Sequence, residues 1–569
     1  MSYLQTQRNR GRKGGEFAYV HLARSVWDPS RGRSVQKRVY VGRLDPSGKH
    51  LVLSKGYGGR SGERVELAEL RRRVAAGEDI EAWLRVPSGG TGDGAAPQDA
   101  PAGVAIVGDA HVLLALARET GLARLLEDAF GAEEGQALLG VALHQAAEGR
   151  AVYLAADWLE EREVPAAMHG ELLQTDRVYG LIAAAGADTG RQERFFRGWI
   201  GVSGKPEALI YDITSISTYA RDLELAEYGY NRDGESLPQI NLALVSDAHR
   251  GRPLWYRPLP GSIPDVSTLK LTGELLNELG LERFSYSLDR GFYSQANVRD
   301  MLAEGIGFTL GVPFSVGQAR ALVRRHRTAL ASAKRSFPFH DRVIRHVRDT
   351  WRAKGARGRP RELDAHLFFE PARQAESMTR VESAVFALEA KAARESFLSR
   401  HEAWQWLDEN AGSLRSCLAV RPADKGGFRI ERKARAVALA TSRLGFTLVL
   451  TSERECPREE VLARYRGRDR VEKLIDALKN EDGQYRLRTG NDHAAAGKLL
   501  VAFLALILHG ELERRMRDAG LLRRMSVTQF LAHMRKVKSV RMASGSRHLL
   551  EITKRNRDLM AAVSVPLPD

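Results

Sequence analysis

The sequence predicts a multidomain α/β protein, and three observations carry that prediction. At 569 residues the chain is too long for one hydrophobic core. Short β-rich runs at 208–216, 240–246, 253–259, 284–288 and 307–313 are interleaved with helical patterns at 265–279 and 295–304, giving the order β-β-β-α-β-α-β of a mixed sheet. Helical periodicity dominates on either side of that stretch.

Taken in order, residues 1–87 are expected to form a hairpin and a helix. Tyr19-Val20-His21-Leu22 and Val39-Tyr40-Val41 alternate apolar and polar positions around the turn-forming Asp28-Pro29-Ser30-Arg31-Gly32, and 66–86 reads as helical. Residues 88–104, rich in Gly, Ala, Pro and Asp, read as a linker. Residues 105–205 read as all-helical, with Leu113, Leu114, Leu116, Leu122, Leu125 and Leu126 on an apolar face. The mixed sheet begins in 206–314. Residues 315–452 read as a mainly β insertion standing apart from that sheet, with strands expected at 367–370, 414–420, 428–437 and 447–451 and a helix around 380–398. The insertion opens on a basic stretch in which only Asp341 and Asp349 oppose many Arg and Lys up to Arg359. That stretch suits either phosphate contact or a solvated loop. Residues 453–510 return to the core with a helix starting near Pro457, and 511–569 read as helical and basic.

A net charge of +16 and a pI of about 9.8 point to a polyanionic partner. Nucleic acid leads over a membrane surface, because no basic amphipathic anchor or lipidation signal is evident. Residues 1–15 lack the apolar core of a signal peptide, and the longest apolar run, 499–508, is too short to span a bilayer and reads as a buried helix. Cys417 and Cys456 form no C-x-x-C pair, so neither a zinc site nor a disulfide framework is indicated, and a reducing cytoplasm fits.

Two features carry chemistry. The first is a helical stripe: Tyr465, Arg468, Glu472 and Lys479 fall at about 0°, −60°, −20° and −40° on a helical wheel, while Val471, Leu474 and Leu478 face away. Alone, this also describes a surface helix with an Arg468–Glu472 ion pair. The second is a pair of carboxylates at strand ends. Asp212 follows Leu209-Ile210-Tyr211, and Asp289 follows alternating Phe284, Tyr286 and Leu288 and precedes Arg290-Gly291-Phe292. A buried carboxylate must be paired, hydrogen-bonded or bound to a cation. Either Asp alone suits a structural role, but two of them with Glu472 on a docked helix would repel unless divalent cations lay among them, and an all-oxygen set suits magnesium.

These residues resemble those of the DDE transposases of bacterial insertion sequences, in the subgroup with a Tyr-x2-Arg-x3-Glu-x6-Lys signature. Tyr465, Arg468, Glu472 and Lys479 match that signature, Asp289-Arg290-Gly291-Phe292 is similar to the second-Asp motif, and Tyr211-Asp212-Ile213-Thr214 is similar to the family's Asp-x-Thr. Gly229-Tyr230-Asn231-Arg232-Asp233 through Gln239, and Pro260-Gly261-Ser262-Ile263-Pro264-Asp265, also resemble family features, with Ser262 where Asn is usual.

The resemblance implies an RNase H-like core in which Asp212, Asp289 and Glu472 are catalytic and bind two Mg²⁺ or Mn²⁺ ions for strand cleavage and strand transfer. Tyr465, Arg468 and Lys479 would hold the backbone of the transposon end. The N-terminal hairpin and the helical region to about Trp199 are the expected readers of the terminal repeats, and the C-terminal helices are expected to pair the chain as a homodimer on double-stranded DNA. Related insertions support a flipped base, for which Trp404 and Trp406 are stacking candidates, and the same two residues also suit the insertion's own core and rim. The implied setting is a bacterial cytoplasm, at the nucleoid. Two alternatives stand beside this: a transposase-derived DNA-binding protein without catalysis, and a nuclease without strand transfer. A tyrosine recombinase is disfavoured because no Tyr follows Tyr485.

Overall fold

The computed structural model describes the chain apart from residues 1, 11–15, 29–32, 46–47, 55–62, 76–79, 86–100, 175–176, 221, 230, 232–234, 263–266, 355–359, 424–425, 477–478, 480–485 and 569. Contacts divide it into two units, 1–100 and 101–569.

In the first unit, β1 (Ser2–Arg10), β2 (Glu16–Asp28), β3 (Arg33–Leu44), β4 (His50–Leu53) and β5 (Arg64–Glu66) form an antiparallel meander. Alternation on β2 buries Val20 and Leu22, which join Val41, Leu51 and Leu53 in a core closed by Leu70 of α1 (Leu67–Ala75) and by Ile80 and Leu84 of α2 (Ile80–Arg85). The expected hairpin is β2–β3, and residues 29–32 of its turn lie outside the described residues. The single helix expected at 66–86 is described as two pieces, α1 and α2, with 76–79 between them outside the described residues. Of the expected linker, 88–100 is outside the described residues, and the remainder belongs to the strand that opens the second unit.

That unit opens with β6 (Pro101–Ile106), followed by α3 (Gly108–Glu119), α4 (Leu122–Phe130), α5 (Ala132–Glu148), α6 (Ala155–Glu160), α7 (Val178–Ala187) and α8 (Thr189–Ser203). Next come β7 (Ala208–Thr218), β8 (Gln239–Asp247), β9 (Pro253–Pro260), α9 (Ser267–Glu278), β10 (Ser285–Leu288), α10 (Gln295–Ala303) and β11 (Gly307–Gly311). β7, β8 and β9 are antiparallel, whereas β10 runs parallel to both β7 and β11.

The sheet does not stop at β11, which corrects the expectation that the later strands stand apart. After α11 (Gly317–Ala331) come β12 (Ser336–Phe339), β13 (Arg342–Lys354) and β14 (Pro360–Phe369). α12 (Pro371–Ala392), α13 (Arg400–Asn410), β15 (Leu418–Pro422), β16 (Phe428–Arg432) and α14 (Ala434–Thr441) then lead to β17 (Phe446–Thr451). β17 pairs with β11 on one side and β14 on the other, and the order is β12-β13-β14-β17-β11-β10-β7-β8-β9. The physical reason is the edge of β11: its open amide and carbonyl groups are satisfied by β17, so the extension continues the ladder. β15, β16 and α12–α14 form a small core of their own, around Val385, Phe397, Leu407, Leu418 and Ile430. The basic stretch is correspondingly α11 and β12–β13 rather than a loop, apart from 355–359, which are outside the described residues.

The chain closes with α15 (Arg458–Asp476), β18 (Arg486–Leu487), α16 (Asp492–Asp518), α17 (Val527–Met534), β19 (Lys538–Met542), β20 (Arg547–Leu549) and α18 (Lys554–Ala562). The expected all-helical C-terminus thus contains two strands: β19 pairs with β20 and with β6, completing a three-stranded sheet whose central strand buries Ser539. α16 contains the apolar run 499–508 and has the length and composition of a membrane span, but it is buried in the fold as the core helix. It meets α7 backbone to backbone: a Cβ added at Gly497 would lie 1.8 Å from the Ile182 carbonyl oxygen, and one at Gly186 2.0 Å from that of His493. Glycine is required at both positions, and the helical segment 105–205 thereby shares one core with the sheet.

Candidate active site

Register decides which way the carboxylates point. Ser285, Tyr286 and Ser287 of β10 pair with Ala208, Leu209 and Ile210 of β7, so two residues further on Asp289 stands level with Asp212. The Ser287 hydroxyl donates to the Arg464 carbonyl of α15 at 3.0 Å, and the Ile210 side chain lies beneath Gly467 of the same helix. Side chains repeat every two residues along a strand, so Asp212 and Asp289 share the face that α15 covers. Tyr211, on the opposite face, hydrogen-bonds Thr268 of α9 at 2.5 Å. Asp212 is half-buried and accepts from the Ile213 amide at 2.9 Å. Asp289 caps a short 3-10 turn at Arg290–Phe292 and accepts from the Arg290 amide at 2.6 Å.

α15 supplies the rest. Arg468 is buried, and its Nη2 lies 3.1 Å from Asp289 Oδ1 and 2.7 Å from Glu472 Oε1. Burial works against its charge, yet Tyr465, Asp289, Glu472 and Asp212 together raise the guanidinium pKa. One cation therefore bridges two of the three predicted acids, Asp289 and Glu472. The Glu472 carboxyl is raised above its ordinary value by burial and by the nearby Asp469, Asp289 and Asp476, against the opposing pull of Arg468. Tyr465 lies against Gly311 of β11, with the Arg468 guanidinium 5.0 Å from its ring centre, and burial raises its phenol pKa. A Cβ at Gly311 would lie 2.5 Å from the Tyr465 oxygen, so glycine there makes room for the ring.

The stripe is divided between the interior and the surface. Arg468 is buried and Tyr465 half-buried, alongside the buried Val471, Leu474 and Ile475, because α15 lies between the sheet and α16; Lys479, beyond the described end of the helix, is buried as well. Glu472, Asp469 and Asp476 remain exposed. The helix is described to Asp476, and Leu478 is outside the described residues.

Trp404 and Trp406 lie on α13, and both are half-buried against the small insertion core. The Trp406 ring packs edge-on to Phe397 at 6.0 Å, and Arg415 lies 4.9 Å over Trp404. The two loops flagged near the first strands do meet: a Cβ at Gly229 would lie 2.1 Å from the Gly261 oxygen, and the Ser262 amide donates to Glu227 at 3.3 Å. Tyr230, Arg232, Asp233 and Asp265 are outside the described residues.

Two contributors went unread in the sequence. Gly467 lets α15 approach the sheet, since a Cβ there would lie 2.3 Å from the Ala248 carbonyl oxygen. A glycine inside a helix costs about 1 kcal/mol, and that cost was the available signal. Arg464 fixes the same helix through Glu453 at 2.8 Å and Glu460 at 2.6 Å.

Among the described residues, no three His, Cys, Asp or Glu side chains converge closely enough to hold a metal ion as they stand. The donor chemistry nonetheless fits one: three carboxylates offer only oxygen, and two of them, Asp289 and Glu472, pair here with the positive charge of Arg468.

The family described as Transposase DDE domain matches residues 203–508. No curated protein sequence matches the chain. Among solved structures, a piggyBac transposase synaptic complex with hairpin DNA is 12% identical, with a TM-score of 0.31 over 77% of this chain and 76% of that one, a likeness too slight to bear on function.

Proposed function

The chain belongs to the DDE transposase family, and from that membership we propose that it binds the terminal repeats of an insertion sequence and cleaves and joins DNA strands there. The observation that carries this reading is Arg468 of α15 bridging Asp289 and Glu472, with Asp212 level with Asp289 on the neighbouring strand. The sheet order, three antiparallel strands followed by two parallel ones, supports an RNase H-like core.

Asp212, Asp289 and Glu472 would hold two Mg²⁺ or Mn²⁺ ions, which supply nucleophile activation and leaving-group stabilisation in phosphoryl transfer. The chain's own residues do the positioning. β7 and β10 fix two carboxylates at one level, Ser287 and Gly467 seat the helix that brings the third, and Arg468 offsets their repulsion until DNA and cations enter. Arg468 then exchanges a carboxylate for a backbone phosphate, a contact its planar fork suits, with Tyr465 and Lys479 as the other proposed backbone contacts. Joining two ends calls for a homodimer on double-stranded DNA, in a bacterial cytoplasm.

The test is metal-dependent nicking of labelled DNA taken from the flanks of the gene. Asp212→Ala, Asp289→Ala and Glu472→Ala should each abolish nicking and leave end binding intact. Full nicking by any one of them would overturn the assignment, and end binding without nicking by the unaltered chain would favour a binding protein.

A further inference from the structure

The C-terminal region holds a basic hollow that the proposed reaction does not use. Between residues 521 and 560 ten Lys and Arg face only Glu551 and Asp558. α17 sorts its residues by face: Val527, Phe530, Leu531 and Met534 are buried, while Gln529, Ala532, His533 and then Lys536 repeat the same i, i+3, i+4, i+7 spacing on the opposite side. Arg524, before the helix, and Arg555 of α18 close the sides of a hollow of about 340 Å³, whose floor the small Ala532 leaves open.

The charge of this hollow is unspent. Arg524, Lys536 and Arg555 make no ion pair or side-chain hydrogen bond among the described residues, and no carboxylate lines the space. The cations of α16 behave otherwise: Arg514 pairs with Glu511 at 2.6 Å, Arg515 with Glu511 at 3.1 Å and Arg517 with Glu513 at 2.9 Å. Three convergent, unpaired cations repel one another unless an anion joins them. His533, inside the hollow, is held below its ordinary pKa by burial and by Arg555 and Lys536, so the cations act on a common space.

We infer that this hollow binds backbone phosphates of duplex DNA. The inference rests on the transposase reading for the identity of the polyanion, and adds a contact in a region expected only to pair subunits. Duplex is favoured over single-stranded nucleic acid because no Phe, Tyr or Trp lines the hollow, so unstacked bases have no platform. The contact is independent of sequence, since the amide oxygen of Gln529, which also lines the hollow, is taken up by the Ser526 amide as a helix cap, and the long cations serve the backbone.

The experiment measures binding of the full chain to a random-sequence 30-base-pair duplex across a salt series. Each phosphate contact contributes a slope of about 0.9 in log K against log salt, so Arg524→Ala/Lys536→Ala/Arg555→Ala should flatten the slope by about 2.7. Ala532→Glu, which puts a carboxylate in the floor, should weaken binding, while Arg555→Lys should keep it. Circular dichroism and thermal melting identify any variant that has lost its fold, in which case Ala532→Glu and Arg555→Lys decide. An unchanged slope and unchanged Ala532→Glu binding would overturn the inference. So would loss of binding confined to phosphatidylserine vesicles. Altered slopes in a chain that never nicks DNA would remove the transposase reading and leave this contact standing; nicking with unaltered slopes would do the reverse.

Discussion

The two halves of the large sheet meet the same helix in different ways. Over β7 and β10, the later turns of α15 make polar and close contacts: Ser287 to the Arg464 carbonyl, Gly467 against Ala248, and Arg468 to Asp289. Over the extension, its first turns make an apolar seat, with Val461, Leu462 and Tyr465 packed on Phe337, Ile344, Phe368 and Val449. One half holds the proposed site and the other anchors the helix that brings its third carboxylate. An extension grown from β11 therefore places Glu472 without crowding the carboxylates, because apolar burial is non-directional while the charged contacts fix the rotation.

The strongest way to break this division is to unseat α15 from each half. Gly467→Val forces side-chain carbons into the Ala248 backbone and should cost about 3 kcal/mol or more in urea unfolding, with loss of nicking. Leu462→Ala removes the anchor and should cost about 3 kcal/mol, while nicking below the unfolding midpoint survives. Equal loss of nicking in two folded variants would mean that the halves are not separable.

The next effect belongs to the extension alone. His346 and His366 are buried on neighbouring strands with Nε2 and Nδ1 3.1 Å apart. Burial, and then His366 and Arg458, press His346 to about 3, against the pull of Glu459; burial and Arg348 press His366 to about 4, against Asp364. Both values lie below the unfolded 6.5, so the unfolded chain takes up protons first. Stability is full above pH 6.5 and is lost as pH falls toward the folded values, by roughly 2 kcal/mol at pH 5 for the first proton. His346→Gln/His366→Gln should flatten that slope in urea midpoints between pH 7 and pH 5. An unchanged slope would place the acid sensitivity elsewhere.

The same contrast explains what the sequence disclosed. Asp212 and Asp289 were legible because each interrupts an apolar strand, and local pattern marks such a break. Arg468 and Glu472 were legible as an i, i+4 pair, which is also what they form. The burial of Arg468 was not, because it depends on α16 covering the far side of α15, a contact between segments with no shared local signal. The extension was missed for a related reason: β14 ends at Phe369 and its partner β17 begins at Phe446, and the intervening helices hide the pairing. The strand β19 was read as helix because short, charged strands take their identity from the partner they pair with, here β6.

The smallest expected effect sharpens the account of the basic stretch, which the sequence left between phosphate contact and solvated loop. α11 carries both kinds of arginine. Arg325 lies 3.0 Å from Asp349, which His326 also holds at 2.6 Å, whereas the exposed Arg324 and Arg327 make no ion pair among the described residues. Arg325→Ala should change stability by about 0 to 1 kcal/mol, since the pair is exposed and Asp349 keeps His326. Its effect on DNA binding should be near zero, because its charge is already answered. Arg324→Ala and Arg327→Ala should leave stability alone and each flatten the salt slope by about 0.9 if DNA lies along α11. Slopes that respond to Arg325 as much as to its neighbours would show that the ion pair opens on DNA; slopes that respond to none of the three would return this helix to the anchoring half of the sheet, as structure without contact.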